Sequence, residues 1–154
     1  NNKKSLKVLK ELEPDLLISV LGNEIFKTEL INLAKHGCLN LHTSLLPKYR
    51  GVMPTFWVLR YNEEETGVSV FFVDEGIDTG PILVQKRIKV ENRTQYQLIE
   101  HTKKIGMDAI IESIELINKG NYELIPNEDR NSSYYSLPKK EDVKEFYKNG
   151  KRFF

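Results

Sequence analysis

Residues 40–51 read Asn-Leu-His-Thr-Ser-Leu-Leu-Pro-Lys-Tyr-Arg-Gly. They set an amide and an imidazole two positions apart in a run with the composition of a strand. Side chains alternate across a strand, so Cys38, Asn40 and His42 share one face while Leu39 and Leu41 take the other. Asn40 offers an N–H donor that cannot ionise, which suits an oxygen gaining negative charge. His42 can carry protons at neutral pH. A second turn, Asp74-Glu75-Gly76-Ile77-Asp78-Thr79-Gly80-Pro81, follows a second strand and supplies Asp78. That carboxylate can stabilise a protonated imidazole or steer a water. In open α/β sheets the turns at the C-terminal ends of strands form ligand sites.

Each of these residues also has an ordinary structural use. An Asn in a strand can pin a turn, a histidine beside an apolar strand can be a satisfied structural group, and an Asp before Thr-Gly-Pro can form a turn. Their order and spacing together favour chemistry. Ser44 beside the histidine is expected to be a structural hydrogen-bonder, because no Gly-x-Ser-x-Gly elbow is present. Neither a Gly-x-Gly-x-x-Gly fingerprint nor a Walker loop occurs, so nothing in the sequence supports NAD or ATP binding. His36, His42 and His101 fall at no metal-ligand spacing, so no metal is expected.

The two segments, Asn-x-His-x-Ser-Leu-Leu-Pro-x-Tyr-Arg-Gly and Asp-x-Gly-x-Asp-Thr-Gly-x-Ile-Leu, resemble the folate-dependent formyltransferases, which use 10-formyltetrahydrofolate. The likeness runs over residues 14–90. Methionyl-tRNA formyltransferases, glycinamide ribonucleotide formyltransferases and sugar N-formyltransferases belong to that family. The resemblance implies that Asn40, His42 and Asp78 are catalytic. Formyl transfer to an amine passes through a tetrahedral intermediate and needs an oxyanion donor and a proton acceptor. It also implies that Leu21, Gly22, Asn23, Glu24, Ile25 and Phe26 form a folate loop, with Asp74, Glu75, Gly76 and Ile77 on the other side of the same pocket. Arg50 and Tyr49, in the family's Tyr-Arg-Gly, are the expected acceptor-binding residues.

The expected function is formyl transfer to a primary amine, the acceptor being a small molecule such as an amino-sugar nucleotide. Initiator Met-tRNA is the alternative acceptor. Tyr49-Arg50-Gly51 fits these two branches better than the purine branch. Two other classes are a 10-formyltetrahydrofolate hydrolase and a non-catalytic folate-binding module. Formate release without acceptor marks the first, and folate binding without turnover the second.

The expected fold is α/β, a mostly parallel Rossmann-like sheet. Ser5 can cap a helix carrying Leu6, Val8, Leu9 and Leu12, which Pro14 stops. Residues 16–21 read as a buried parallel strand, and Gly22-Asn23 as a turn. Thr28 can cap a helix with Leu30, Ile31, Leu33 and Ala34 inward, ended by Gly37. After the strand of His42, residues 54–59 form a short helix, residues 63–67 a solvated turn, and residues 68–73 and 82–90 two strands. The second alternates, which argues for a half-exposed, edge or antiparallel strand. Thr94-x-x-Gln97 is a capping box that opens the longest helix, ended by Gly120. Residues 1–120 are expected to be the catalytic core. Residues 121–154 are expected to form a polar tail over it, with a last helix near residues 141–148. The family carries a strand–helix–strand section ahead of the matching region. The chain is expected to lack that section and to be unstable alone through an exposed sheet edge.

Composition agrees with a globular domain. The chain has 154 residues, 40% hydrophobic and 29% charged, enough for one core. A net charge of +1 gives no argument for nucleic acid. A single cysteine excludes an internal disulfide. No apolar run reaches the roughly 18 residues that span a bilayer, and no signal peptide is visible. The expectation is a cytoplasmic protein without a membrane partner. The sequence leaves its oligomeric state open.

Overall fold

A computed structural model describes residues 2–20, 22 and 24–154. The chain folds as α1 (Lys3–Leu12), β1 (Leu17–Val20), α2 (Thr28–Ile31), β2 (Cys38–His42), β3 (Arg50–Gly51), α3 (Pro54–Arg60), β4 (Glu65–Phe72), β5 (Ile82–Lys89), α4 (Gln95–Lys119), β6 (Tyr134–Tyr135) and α5 (Lys140–Lys148), with a 3-10 turn at Asp129–Asn131. The main sheet runs β1-β2-β4-β5. β1 and β2 are parallel, whereas β2–β4 and β4–β5 are antiparallel. The fold is α/β, and its described sheet is mixed. The reason is local: β4 and β5 are joined by a short loop that can only turn the chain back, so they form a hairpin.

The sheet has one dry face. Leu39 and Leu41 of β2 join Val68, Val70, Val84 and Ile88 of the hairpin against Ala109, Ile110 and Ile117 of α4. Contact is close: a Cβ built on Gly106 of α4 would stand 2.6 Å from Leu41 Cδ2. The period of two then sends Asn40 to the other face. A second apolar cluster joins Phe56, Trp57, Val58 and Leu59 of α3 to Leu98 and to Phe146 of α5. The polar tail is therefore anchored by an aromatic side chain that is 0% exposed.

α4 follows its sequence signals. Thr94 accepts from the Gln97 backbone N–H while the Gln97 side chain accepts from Thr94 N–H, and Gly120 closes the helix in the left-handed region. Thr94→Ala is expected to cost about 1 kcal/mol, read as a lower urea midpoint with an unchanged slope. An unchanged midpoint would mean that packing alone fixes the start of α4.

Several local expectations give way to tertiary contacts. Asn2, not Ser5, caps α1 by accepting from Lys4 N–H at 2.9 Å. Of the α1 apolar residues only Leu6 is buried, and Val8 and Leu12 are exposed. β1 alternates half-buried and exposed rather than lying fully buried, because it is the edge strand of the described sheet and Ile18 and Val20 are uncovered. α2 stops at Ile31, one turn after it starts. Thr28 sits inside it and spends its hydroxyl on Glu75. β4 begins at Glu65, inside the stretch expected to be a solvated turn. There Gly67 is pressed so closely on Lys86 that a Cβ would meet its carbonyl oxygen at 2.3 Å, so the glycine serves a strand crossing rather than a turn. Among the described residues no helix is long and apolar enough to cross a membrane.

Candidate active site

β2 delivers His42 to the end of the sheet, and the loop behind it returns to hold the ring. Ser44 Oγ donates to Lys48 O at 2.7 Å, Leu46 N–H donates to Ser69 Oγ at 3.1 Å, and Gln85 Nε2 donates to Leu46 O at 3.0 Å. This bracing brings the Tyr49 carbonyl within 2.7 Å of His42 Nε2. A carbonyl only accepts, so Nε2 carries the proton and the neutral ring keeps its lone pair on Nδ1. Nδ1 is the nitrogen that faces Asp78, at 3.6 Å from Oδ2. In that tautomer the nitrogen without hydrogen is the one beside the carboxylate.

Asp78 is fixed with equal care. Its backbone is left-handed, φ 54°, a region where Asp is tolerated better than most residues. Its Oδ2 accepts from Gly51 N–H at 2.8 Å. Gly51 has φ 95°, and a Cβ there would meet Tyr135 O at 2.2 Å, so only glycine presents that N–H here.

Asn40 pairs in register with Ser19 on one side and Phe71 on the other, which makes a row across the open face. Its Oδ1 is buried without a partner, and among the described residues its side chain makes no hydrogen bond. A buried orphan acceptor costs about 1–3 kcal/mol. Such a cost is borne where the group is needed for something other than stability.

These residues border one cleft of about 440 Å³. Asn40 and His42 line it, with Gly22, Glu24, Ile25 and Phe26 from the segment after β1 and Asp74, Gly76, Ile77 and Asp78 from the β4–β5 loop. The Thr28–Glu75 hydrogen bond ties these last two segments together. Glu75 itself does not line the cleft. Leu21 and Asn23, both expected in the folate loop, lie outside the described residues.

Arg50 and Tyr49 are placed differently from expectation. Neither lines the cleft. Arg50 is 6% exposed, donating from Nη1 to Asp129 at 2.7 Å and from Nη2 to the backbone and side-chain oxygens of Asn127 at 2.9 and 3.0 Å. Tyr49 stacks on Tyr135 and donates its hydroxyl to Glu63 at 2.5 Å. Burial, then that carboxylate, pushes its phenol well above the ordinary range. The left-handed backbone at Tyr49 (φ 61°) and the β3–β6 pairing direct these side chains away from the cleft. The chain offers the cleft Gly51, Val52 and Met53 instead.

Sequence reasoning did not single out Ser19, Val52, Met53 and Tyr134 as lining residues, nor Asn127 as a partner of the Asp78 loop. Ser19 had a signal, being a polar residue inside an apolar strand. Asn127 had none, because its partners lie 47 and 49 residues away. Cys38 shares the Asn40 face but is buried, which pushes its thiol up to about 11, so it is not a thiolate near neutral pH. Among the described residues no group of three or more His, Cys, Asp or Glu stands close enough to hold a metal.

Comparison with known proteins bears on the family and the fold. Residues 1–114 match the family described as formyl transferase. The chain is 45% identical over 116 residues to the methionyl-tRNA formyltransferase of Thermodesulfovibrio yellowstonii, covering 75% of this chain and 38% of that protein. It is 35% identical over 156 residues to that of Kosmotoga olearia, covering 100% of this chain and 50% of the relative. The chain thus spans half or less of the length of these curated relatives. A solved structure of the formyltransferase PseJ from Anoxybacillus kamchatkensis, in complex with UDP-4,6-dideoxy-4-formamido-L-AltNAc and tetrahydrofolate, superposes with a TM-score of 0.72 at 30% identity, covering 86% of this chain and 69% of that one. Sequence and fold thus agree, and the chain belongs to the formyl transferase family.

Proposed function

We propose that this chain carries the catalytic site of an enzyme that moves a formyl group from 10-formyltetrahydrofolate to a primary amine. The observation that carries the reading is the convergence of Asn40, His42 and Asp78 on one cleft. The cleft fits a folate. Ile25, Phe26 and Ile77 offer apolar surface for a flat ring, and the segments around them offer backbone donors and acceptors. The PseJ structure holds tetrahydrofolate.

When bound, the folate supplies an activated formyl carbonyl. The free N–H groups of Asn40 meet the carbonyl oxygen as it gains charge. His42 takes the amine proton on Nδ1, the position its bond to Tyr49 leaves open. Asp78 stabilises the imidazolium that results. The amine nitrogen bonds to the formyl carbon, the bond from that carbon to the folate nitrogen breaks, and the imidazolium of His42 returns its proton to the departing nitrogen, leaving a formamide and tetrahydrofolate. No metal is needed for these steps.

Two acceptor classes each have an observation in their favour. The higher sequence identity is to proteins named for methionyl-tRNA. The solved structure is of a protein bound to a nucleotide-linked sugar. The test offers 10-formyltetrahydrofolate with initiator Met-tRNA and with a panel of nucleotide-linked amino sugars to the complete encoded protein. Mass spectrometry should find one acceptor class formylated, and 5-formyltetrahydrofolate should compete with the donor. A protein that formylates neither class, while remaining folded, would refute the proposal.

A further inference from the structure

The catalytic trio accounts for one end of the β4–β5 loop and leaves unexplained what holds it there. Asp78 keeps a left-handed backbone, φ 54°, and its carboxylate must stand between Gly51 N–H and His42. Within the loop, Asp74 Oδ1 accepts from Gly76 N–H and from Thr79 Oγ1, and the backbone oxygens on either side of Thr79 are held from the tail. Asn127 Nδ2 donates to Asp78 O and to Gly80 O, both at 2.9 Å. Its acceptor side is taken by Arg50, whose Nη2 donates to Asn127 Oδ1 and to the Asn127 backbone oxygen. Both amide hydrogens and the amide oxygen are therefore used. One planar group joins β3 to the loop before β5, the two segments that present Gly51 and Asp78.

We infer that Asn127 is a positioning residue that holds the Asp78 carboxylate against His42, and that Arg50 serves by orienting Asn127. The inference rests on the proposed role of Asp78 in formyl transfer. It gives a use to a buried arginine that sequence reasoning assigned to the acceptor. The amide is suited to the task because it donates twice and accepts once without changing charge. Asp at this position would keep the oxygen facing Arg50 and lose both donors.

The structure contains its own reporters. Three successive amides of one segment have different partners. Arg50 N–H donates to Ser133 O and Val52 N–H to Tyr135 O, so both report docking of the tail. Gly51 N–H donates to Asp78 Oδ2, so it reports the carboxylate. Hydrogen exchange at these amides should be measured in the complete encoded protein carrying Asn127→Asp, Asn127→Ala or, as a control, Asp129→Ala. Asp129 pairs with Arg50 and, among the described residues, makes no hydrogen bond to the Asp78 loop.

Both Asn127 variants should speed exchange at Gly51 on the order of tenfold or more, while Arg50 and Val52 keep their protection. Asp129→Ala should leave all three amides as they were. In parallel, kcat should fall by up to about a hundredfold, as expected for a misplaced group, with KM for the folate little changed. Unchanged protection at Gly51 in both Asn127 variants would overturn the inference. So would equal loss at Arg50, Gly51 and Val52, which would make Asn127 a simple anchor of the tail. If the wild-type protein transfers no formyl group, the proposed function fails by itself, and the Gly51 amide still decides whether Asn127 holds Asp78.

Discussion

Asn40→Ala and His42→Ala should each cut kcat by about a hundred- to a thousandfold, with KM for the formyl donor changed far less. The size follows from what each group does. Loss of one oxyanion donor costs roughly 10²–10³ in rate, and a positioned acid–base group contributes roughly 10²–10⁴. On the proposed reading folate binding draws on the apolar walls and on backbone groups, which these variants leave in place. Asp78→Asn is the informative third variant, because an amide oxygen can still accept from Gly51 N–H at the position where Oδ2 now accepts it. It removes charge without removing the turn. If Asp78 acts through His42, the pair His42→Ala/Asp78→Asn should be no slower than His42→Ala alone. Steady-state kinetics with the identified acceptor would check this. Near-normal turnover in Asn40→Ala and His42→Ala would sink the mechanism, and additive losses in the double variant would give Asp78 a role independent of the ring.

The parts of this site that could be read from sequence are those fixed by short-range rules. Asn40 and His42 share a face because a strand has a period of two, and β2 obeys it with Leu39 and Leu41 on the dry side. The capping box of α4 works because its two partners are three residues apart. Asp78 could be placed in a turn beside a strand because Asp, Gly and Pro close together favour a turn, and β5 starts directly after Pro81. The tautomer of His42 was not readable. It depends on the Tyr49 carbonyl, and that carbonyl is delivered by a loop braced from β4 and β5.

Arg50 shows the opposite case. A guanidinium a few residues after a candidate catalytic histidine invites the reading of an anion binder, and composition alone could not correct it. Its partners Asn127 and Asp129 lie 77 and 79 residues further on. Tyr49 misleads in the same way, since Glu63 and Tyr135 claim it from α3 and β6 neighbourhoods. The edge character of β1 was also hidden. An apolar run has the same sequence whether a sheet face is covered or not, and only the strand order shows Ile18 and Val20 uncovered.

Phe146→Ala should lower stability by about 3–5 kcal/mol, the range for removing a buried aromatic ring. Phe146 belongs to the segment that sequence reasoning treats as a polar tail, and most of α5 is charged. Its ring is nonetheless 0% exposed, stacked on Phe56 at 4.9 Å and tilted against Phe153 at 4.8 Å between centroids. Few atoms could collapse into the space it leaves, because Phe56, Val58 and Leu59 are themselves fully buried in the same cluster. The melting temperature should fall by roughly 6–20 °C for a domain of this size. Leu137→Ala is the control, at 66% exposed, with an expected change within about 0.5 kcal/mol. A loss for Phe146→Ala no larger than that of the control would mean that the tail docks loosely and that residues 1–120 stand alone. The expected result has a functional corollary. Between α4 and α5 the same segment carries Asn127, which grips the Asp78 loop, and Tyr134, which lines the cleft. A ring buried far from the chemistry then sets how much of the time that site is assembled, and activity should fall with temperature earlier in Phe146→Ala than in the wild type.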